Sequence, residues 1–215
     1  MIRDIRVRLR QAMNGIVSTS MREKGVRYKL NFGASLSDLK SIAESYTPNV
    51  QLAAWLWEQD VREHKILATL LYPHEALTEA EADRWAEMIC HQEIAEQFCA
   101  NLMQYTPFAE KSAERWISDK KEYVQVCGFL LYARLYTRGD EASDPQKLLQ
   151  TAKQVLDKGI SRAQRAALLA LKRFGRRSRL DSQTILALIE AYRDSESKER
   201  KEFYNDLKFE FDYYN

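Results

Sequence analysis

This chain of 215 residues has two carboxylates at helical spacing next to a histidine, a group that could do chemistry but that spacing alone does not set apart from other surface glutamates. Glu93 and Glu96 lie three residues apart in the segment CHQEIAE, so a helix places them on adjoining parts of one face. A carboxylate can stabilise positive charge that develops as a bond breaks, and His91 beside them could transfer a proton. The alternatives are a solvated helix surface for both glutamates and a surface or supporting role for His91.

The densest positive charge lies in the run KRFGRRSR, residues 172–179. A glycine among cations predicts a bent loop that binds consecutive phosphates of a nucleic acid, with salt-dependent and sequence-independent affinity. Four further cations near the N-terminus predict a second phosphate contact area. The nine predicted DNA-binding residues are Arg22, Lys24, Arg27, Lys29, Lys172, Arg173, Arg176, Arg177 and Arg179. The alternative for the run is a solvated basic linker.

The formal net charge of +2 conceals a segregation along the chain. Residues 1–29 carry 8 Lys/Arg against 2 Asp/Glu, a net of +6, and residues 146–181 carry 10 against 2, a net of +8. Residues 30–145 carry 10 against 19, a net of −9, and residues 182–215 carry 5 against 8, a net of −3. Two basic blocks around an acidic middle favour a polyanion bound at two places, the alternative being chance variation of surface charge.

Helices must position these side chains, and residues 47–71 indicate how such helices are arranged in this chain. They predict two short helices with a very short connection between them. Thr47 is the predicted cap of the first helix, and Asp60 with Glu63 is a predicted capping box at the start of the second. Neither helix could bury its apolar stripe alone, so each needs a neighbour. The stripe residues are Leu52, Trp55, Leu56, Ile66, Leu67, Leu70 and Leu71.

Repeated caps, short links and few glycines and prolines predict an all-α fold. We expect an α-solenoid or superhelix of HEAT-like antiparallel helix pairs, the alternative being an irregular helical bundle. We predict a single domain, 1–215. Its first part, 1–34, is a basic N-terminal helix (3–17) followed by a loop (18–34). Repeats cover 35–192, and a C-terminal capping helix lies within 193–215.

The stretch 47–71 also resembles a signature of the DNA alkylation repair family, the AlkD-like DNA glycosylases built from HEAT-like repeats. The matching residues are Asn49, Leu52, Ala53, Leu56, Trp57, Arg62, Glu63, Lys65, Leu67 and Ala68. Residues between Met21 and Gly33 are similar to the family's N-terminal region, and Trp85 and Trp116 match its tryptophan spacing. The resemblance covers roughly residues 20–180. It implies excision of positively charged alkylated purines, such as 3-methyladenine or 7-methylguanine, from duplex DNA.

In that family a carboxylate stabilises the cationic sugar, tryptophans contact the deoxyribose, and arginines hold phosphates. The resemblance implies Glu96 as the catalytic carboxylate and gives four sugar or base contacts: Trp85, Gln92, Trp116 and Gln125. Gln92 replaces a tryptophan, Gln125 lies where an arginine pair is usual, and Leu169 replaces another tryptophan. The alternative for Trp85 and Trp116 is a position in the core. An active glycosylase and an inactive HEAT-like scaffold that binds DNA or protein therefore both stay open.

Other classes of function receive no support from the sequence. The odd count of three cysteines, all within helical apolar patterns, predicts core residues in a reducing cytoplasm. His64 and His74 lack partners at ligand spacing, so we predict no metal site, and the implied chemistry needs no cofactor. We expect no membrane span and no secretory signal, although an Arg-rich N-terminus could alternatively be an organellar transit peptide. The expected state is a cytoplasmic monomer with double-stranded DNA as its partner.

Overall fold

The computed structural model describes residues 1–140, 145–159 and 161–214, and the regular structure in these ranges is helical. The chain divides into two compact units, Met1–Thr106 and Pro107–Asn215. Extended pairing among the described residues is confined to one isolated parallel bridge between Leu30 and Val61. Within the same ranges, no helix combines the length and the hydrophobicity that crossing a bilayer requires.

The N-terminal unit contains seven α-helices, and its centre is a helix with neighbours on three sides. That helix, α5, packs against α3, α4 and α7. The helices are α1 (Ile2–Gln11), α2 (Gly15–Glu23), α3 (Leu36–Glu44), α4 (Val50–Trp57), α5 (Arg62–Leu71), α6 (Glu79–Glu87) and α7 (Gln92–Asn101). All residues of α5 except Leu70 are buried, including its charged ones.

The first 34 residues differ from the predicted single helix and loop. The helix predicted over 3–17 is broken after Gln11, and α2 occupies part of the predicted loop. The break lies at Asn14, whose side-chain oxygen accepts a hydrogen bond from the backbone amide of Val17 and so caps a new helix. The apolar periodicity continues through this cap, which is why it predicted one helix.

The predicted pair over 47–71 is confirmed as α4 and α5, but both predicted caps are wrong. Asn49 caps α4 by accepting from the amide of Leu52 at 2.8 Å, in place of Thr47. Val61 precedes α5 without a side-chain cap. Asp60 and Glu63 bind other segments, because each accepts backbone amides from residues about 30 positions earlier in the chain.

The C-terminal unit is organised around two long helices that pack along each other, α9 and α11. Around them lie α8 against α9, α10 and α12 against α11, and α13 against both α11 and α12. Its helices are α8 (Ala109–Trp116), α9 (Glu122–Arg138), α10 (Pro145–Asp157), α11 (Arg162–Gly175), α12 (Arg179–Leu188) and α13 (Lys198–Tyr214). The last of these lies within the predicted C-terminal helix segment.

Candidate nucleic-acid interface

Both candidate carboxylates lie on α7, and the structure gives them different surroundings. Glu93 receives a two-pronged contact from the Arg62 guanidinium, with Nε to Oε2 at 2.7 Å and Nη2 to Oε1 at 2.6 Å. Glu96, one turn on, accepts a hydrogen bond from the Gln92 side-chain amide at 3.1 Å and is half-buried. Glu93 is therefore committed to an ion pair, whereas Glu96 makes no ion pair with a described residue.

Arg62 joins α7 to the start of α3 as well as to its own helix. Its Nη1 donates to the carbonyl of Ala34 at 2.8 Å and to Oε1 of Glu63 at 2.9 Å. Glu63 in turn accepts from the backbone amides of Phe32 at 3.1 Å and Gly33 at 3.0 Å. Arg62, Glu63 and Glu93 thus form one cluster, hereafter the Arg62 cluster, that holds the segment before α3 between α5 and α7.

The segment before α3 also closes over the start of α7. The rings of Tyr28 and His91 lie 4.4 Å apart, and His91 Nε2 is 3.0 Å from the carbonyl oxygen of Arg27. Burial raises the pKa of the Tyr28 hydroxyl, whose oxygen has no hydrogen-bond partner among the described residues. His91 is consequently occupied in holding this segment in place. No local motif of the sequence connects Tyr28 or Arg62 with Glu93 or His91.

The two tryptophans proposed as sugar contacts are core residues. Trp85 is fully buried, stacks on Trp57 with ring centroids 4.3 Å apart, and donates its indole N–H to Glu81 at 2.7 Å. Trp116 at the end of α8 is likewise buried. The prediction that these rings contact a deoxyribose is therefore wrong for this conformation, because neither presents a face to solvent.

The two glutamines at altered family positions have partners within the chain. Gln92 begins α7 and donates to Glu96, so its amide reduces the hydrogen-bonding freedom of that carboxylate. Gln125 on α9 donates to the carbonyl of Ile117 at 2.7 Å, just beyond the end of α8. Both are half-buried, and a base-contact role for them stays a prediction.

Only residues 176–178 of the basic run 172–179 form a loop, the short link between α11 and α12. Lys172 and Arg173 belong to the last turn of α11, Arg179 begins α12, and Gly175 is a buried helical residue. A Cβ at Gly175 would approach the Phe211 ring to 2.3 Å, so the glycine permits close packing of α13 rather than a bend. The predicted bend at this glycine is therefore wrong.

Acidic residues of the C-terminal unit neutralise much of this run. Lys172 pairs with Asp206 at 2.7 Å, Arg176 pairs with Glu210, and the Arg176 guanidinium lies 3.5 Å from the centroid of the Tyr214 ring. The remaining cations of the run are less strongly engaged. Arg177 is 3.9 Å from Asp181, and Arg173 and Arg179 make no ion pair with a described residue.

The N-terminal basic block presents the opposite situation. Of its 8 Lys/Arg, Arg8 pairs with Asp4 at 3.1 Å, and the other seven make no ion pair with any described residue. Arg22 donates to the hydroxyl of Thr19, and Arg6 lies 5.6 Å from the Trp55 ring centroid, so neither of these contacts supplies a negative counter-charge. The unpaired cations are Arg3, Arg6, Arg10, Arg22, Lys24, Arg27 and Lys29.

Metal chemistry has no obvious location in the described ranges. No three side chains of His, Cys, Asp or Glu come together there as a potential metal site. Cys99 and Cys127 are buried and Cys90 is exposed, and none of the three forms a disulfide with a described residue.

Comparison with known families places the chain. Residues 6–200 match the family model described as DNA alkylation repair enzyme. The chain belongs to the DNA alkylation repair enzyme family. The family match begins within α1, covers α2 through α12 and ends in the first turn of α13, so it extends well beyond the signature in α4 and α5.

A solved structure shows that the fold is shared with a relative of this DNA alkylation repair family. It represents "a new family of proteins related to the HEAT-like repeat DNA glycosylases with affinity for branched DNA structures". The match has a TM-score of 0.80 and 15% sequence identity, and covers 96% of this chain and 94% of the other. The predicted α-solenoid class of HEAT-like helix pairs is thereby confirmed. No curated protein sequence matches this chain.

Proposed function

We propose that this member of the DNA alkylation repair family binds DNA through the phosphate backbone, using the unpaired cations of its N-terminal basic block. The observation that carries the proposal is the contrast between the two basic blocks. Seven of eight cations in residues 1–29 lack an ion pair with a described residue. In residues 146–181, by contrast, Lys147, Lys153, Arg162, Lys172, Arg176 and Arg177 all have acidic partners.

Unpaired surface cations bind phosphates by releasing condensed counterions, and this requires no base contacts. The expected binding is therefore independent of sequence and decreases steeply as salt rises. The structural neighbour's affinity for branched DNA supports including junctions among the ligands. We propose duplex and branched DNA as ligands, with the phosphate backbone as the element that the protein recognises in both.

Charge reversal in the N-terminal block tests this function. We expect Arg22→Glu/Arg27→Glu to weaken binding to a duplex and to a four-way junction by at least about tenfold at low salt, because two phosphate contacts become repulsive. The matched control is Lys198→Glu/Lys201→Glu on α13, which makes the same change in net charge outside both basic blocks. Fluorescence anisotropy over a salt series measures the affinity and its slope. Equal weakening by both double variants would contradict a localised interface.

Base excision is the second candidate function, and the position of Glu96 favours it. Glu93 is neutralised by Arg62, which leaves Glu96 as the carboxylate of this α7 pair without an ion pair to a described residue. A carboxylate beside a sugar stabilises the positive charge that forms when an alkylated purine departs. We propose Glu96 for that role if the chain excises bases.

Release of 7-methylguanine or 3-methyladenine from methylated duplex DNA is the measurement for excision. We expect Glu96→Gln to lower the rate by about 100-fold, since it removes an electrostatic stabiliser and preserves shape. Glu44→Gln on the exposed end of α3 is the control and should leave the rate unchanged. If the wild-type protein releases no base under conditions where a known glycosylase does, excision is wrong and the DNA-binding proposal stands on its own test.

A further inference from the structure

A cavity of about 730 Å³ lies within the N-terminal unit, away from Glu96. Its walls are formed by α1, by the segment that precedes α3, and by the junction of α4 with α5. This volume lies in the range of pockets that hold small organic molecules, about 300–1,000 Å³. None of the family-implied contacts lines it, and of the predicted DNA-binding residues it includes Lys29.

Three cations face this cavity without an acidic partner of their own. Arg6 and Arg10 come from α1 and Lys29 from the segment before α3, and none makes an ion pair with a described residue. The cavity's carboxylate, Asp60, is already engaged because it accepts the backbone amide of Lys29 at 3.0 Å. Two guanidinium groups and an ammonium at one cavity attract a phosphate strongly.

A buried histidine in the cavity wall, His64, has a ring contact with Trp55 but no hydrogen-bond partner in the described part of the chain. His64 is 3% exposed, and neither ring nitrogen has a hydrogen-bond partner among the described residues. Burial, with the nearby charge of Arg6, lowers the pKa of His64 to about 4, so the ring is neutral at pH 7. A neutral imidazole offers one donor and one acceptor, and a buried polar group without a partner costs stability. A ligand that supplies those partners would recover this cost.

Apart from Gln59, whose side-chain amide donates to the carbonyl of Trp55 at 3.0 Å, the rest of the lining is apolar and suits the faces of a flat ring. Phe32 and Val61 are buried, whereas Met13 and Leu30 remain largely exposed at the cavity. Exposed apolar side chains beside unpaired cations indicate a ligand with an apolar body and an anionic end. The volume exceeds what an isolated phosphate ion would occupy, so the apolar part must be substantial.

We propose that this cavity binds a nucleoside 5′-monophosphate unit. Arg6, Arg10 and Lys29 hold the phosphate, and the base lies among the apolar side chains with its edge toward His64. The unit is either a free nucleotide or the 5′-phosphorylated end of a DNA strand, since both present the same chemistry. The proposal goes beyond backbone binding, because it requires a pocket that distinguishes a nucleotide from its phosphate and does not depend on Arg22 or Arg27.

Isothermal titration calorimetry on the full chain tests the pocket with four probes. These are deoxyadenosine 5′-monophosphate, inorganic phosphate, and one oligonucleotide carrying either a 5′-phosphate or a 5′-hydroxyl. We expect the monophosphate to bind more tightly than phosphate. A preference for the 5′-phosphorylated oligonucleotide over its hydroxyl form identifies a strand end as the source, and its absence identifies the free nucleotide. Failure of both nucleotide probes to bind at millimolar concentration, or equal binding of phosphate alone, overturns the proposal.

Variants connect the binding to the pocket. Arg10→Ala changes an exposed residue and should weaken binding of the monophosphate at least about tenfold, because a charged hydrogen bond is lost. His64→Gln should weaken the monophosphate and leave phosphate unaffected. Lys40→Ala, at an exposed residue of α3 outside both the lining and the N-terminal basic block, is the matched control and should bind the monophosphate as the wild type does. If Arg10→Ala and His64→Gln both bind the monophosphate as the wild type does, this cavity is not the site. Because Arg22→Glu/Arg27→Glu leaves the cavity intact, failure of backbone binding and failure of this pocket are separable.

Discussion

Arg62→Met should be strongly destabilising, lowering the free energy of unfolding by about 3–5 kcal/mol. The Arg62 side chain is 2% exposed and Glu63 is fully buried, so the substitution leaves a buried carboxylate without its counter-charge. It also removes the donors to Glu93 and to the carbonyl of Ala34. Glu63 would retain only the backbone amides of Phe32 and Gly33. For a chain of this size, such a loss corresponds to a decrease in Tm of roughly 10 °C.

The other members of the Arg62 cluster should form a graded series. Glu93 is 31% exposed, so Glu93→Gln leaves Arg62 paired with Glu63 and should cost less than Arg62→Met. Glu96→Gln, on the same helix and outside the cluster, should change the unfolding free energy by less than about 0.5 kcal/mol. Urea unfolding of the three variants measures the series. If Arg62→Met unfolds at the wild-type urea midpoint, the cluster does not hold the N-terminal unit together.

The series also separates structure from chemistry at the candidate carboxylates. If Glu93→Gln lowers DNA binding or base release, this loss of function should reflect the fraction of protein that is unfolded. Function should therefore return under conditions in which the variant is fully folded. A loss at Glu96→Gln should instead occur at full stability. The Arg62–Glu63 pair belongs to the family resemblance, yet in this chain its contacts are structural. A match to this signature therefore supports the fold more directly than it supports excision.

The sequence predicted what short-range periodicity determines. Ile66 and Leu67 are buried because a helix repeats every 3.6 residues and the chain itself carries that period. It could not predict that Glu63 would bind Phe32 and Gly33 rather than cap its own helix, because the local motif is the same in both cases. The difference depends on a segment 30 residues away that only the folded chain brings near.

Contacts between distant segments also decide which predicted residues of the candidate interface remain available. The sequence located the basic run 172–179, but its neutralisation by Asp206 and Glu210 depends on how α13 packs against α11. Gly175 could equally serve a bend or a close contact, and the ring of Phe211 decides for the contact. The stack of Trp85 on Trp57 likewise assigns Trp85 to the core. Charge counts and aromatic spacing find candidates, whereas tertiary partners decide which of them remain available.

His64 should make the protein less stable as pH falls from 7 to 5. Its pKa is lowered to about 4 in the folded state, mainly by burial and further by Arg6, against an ordinary value of 6.5. Between these values the unfolded chain binds a proton that the folded chain excludes, so unfolding is favoured as pH decreases. The contribution is complete at high pH and is lost as pH falls through 6.5 toward 4. Between pH 7 and pH 5 this amounts to about 2 kcal/mol from this one side chain.

Urea unfolding at pH 7, 6 and 5 isolates this contribution when the wild type is compared with His64→Gln. Glutamine does not titrate, so the variant should lose about 2 kcal/mol less than the wild type over the same interval, whatever its absolute stability. His74→Gln, at a partly exposed histidine beside Glu75, is the control and should retain most of the wild-type slope.

The charged groups facing the cavity with His64 are Arg6, Arg10, Lys29 and Asp60. Of these, Arg6 opposes protonation of the ring. Identical slopes for wild type and His64→Gln would mean that the ring takes up a proton as readily in the folded protein as in the unfolded chain, and that the cavity is more open to water than its buried nitrogens indicate.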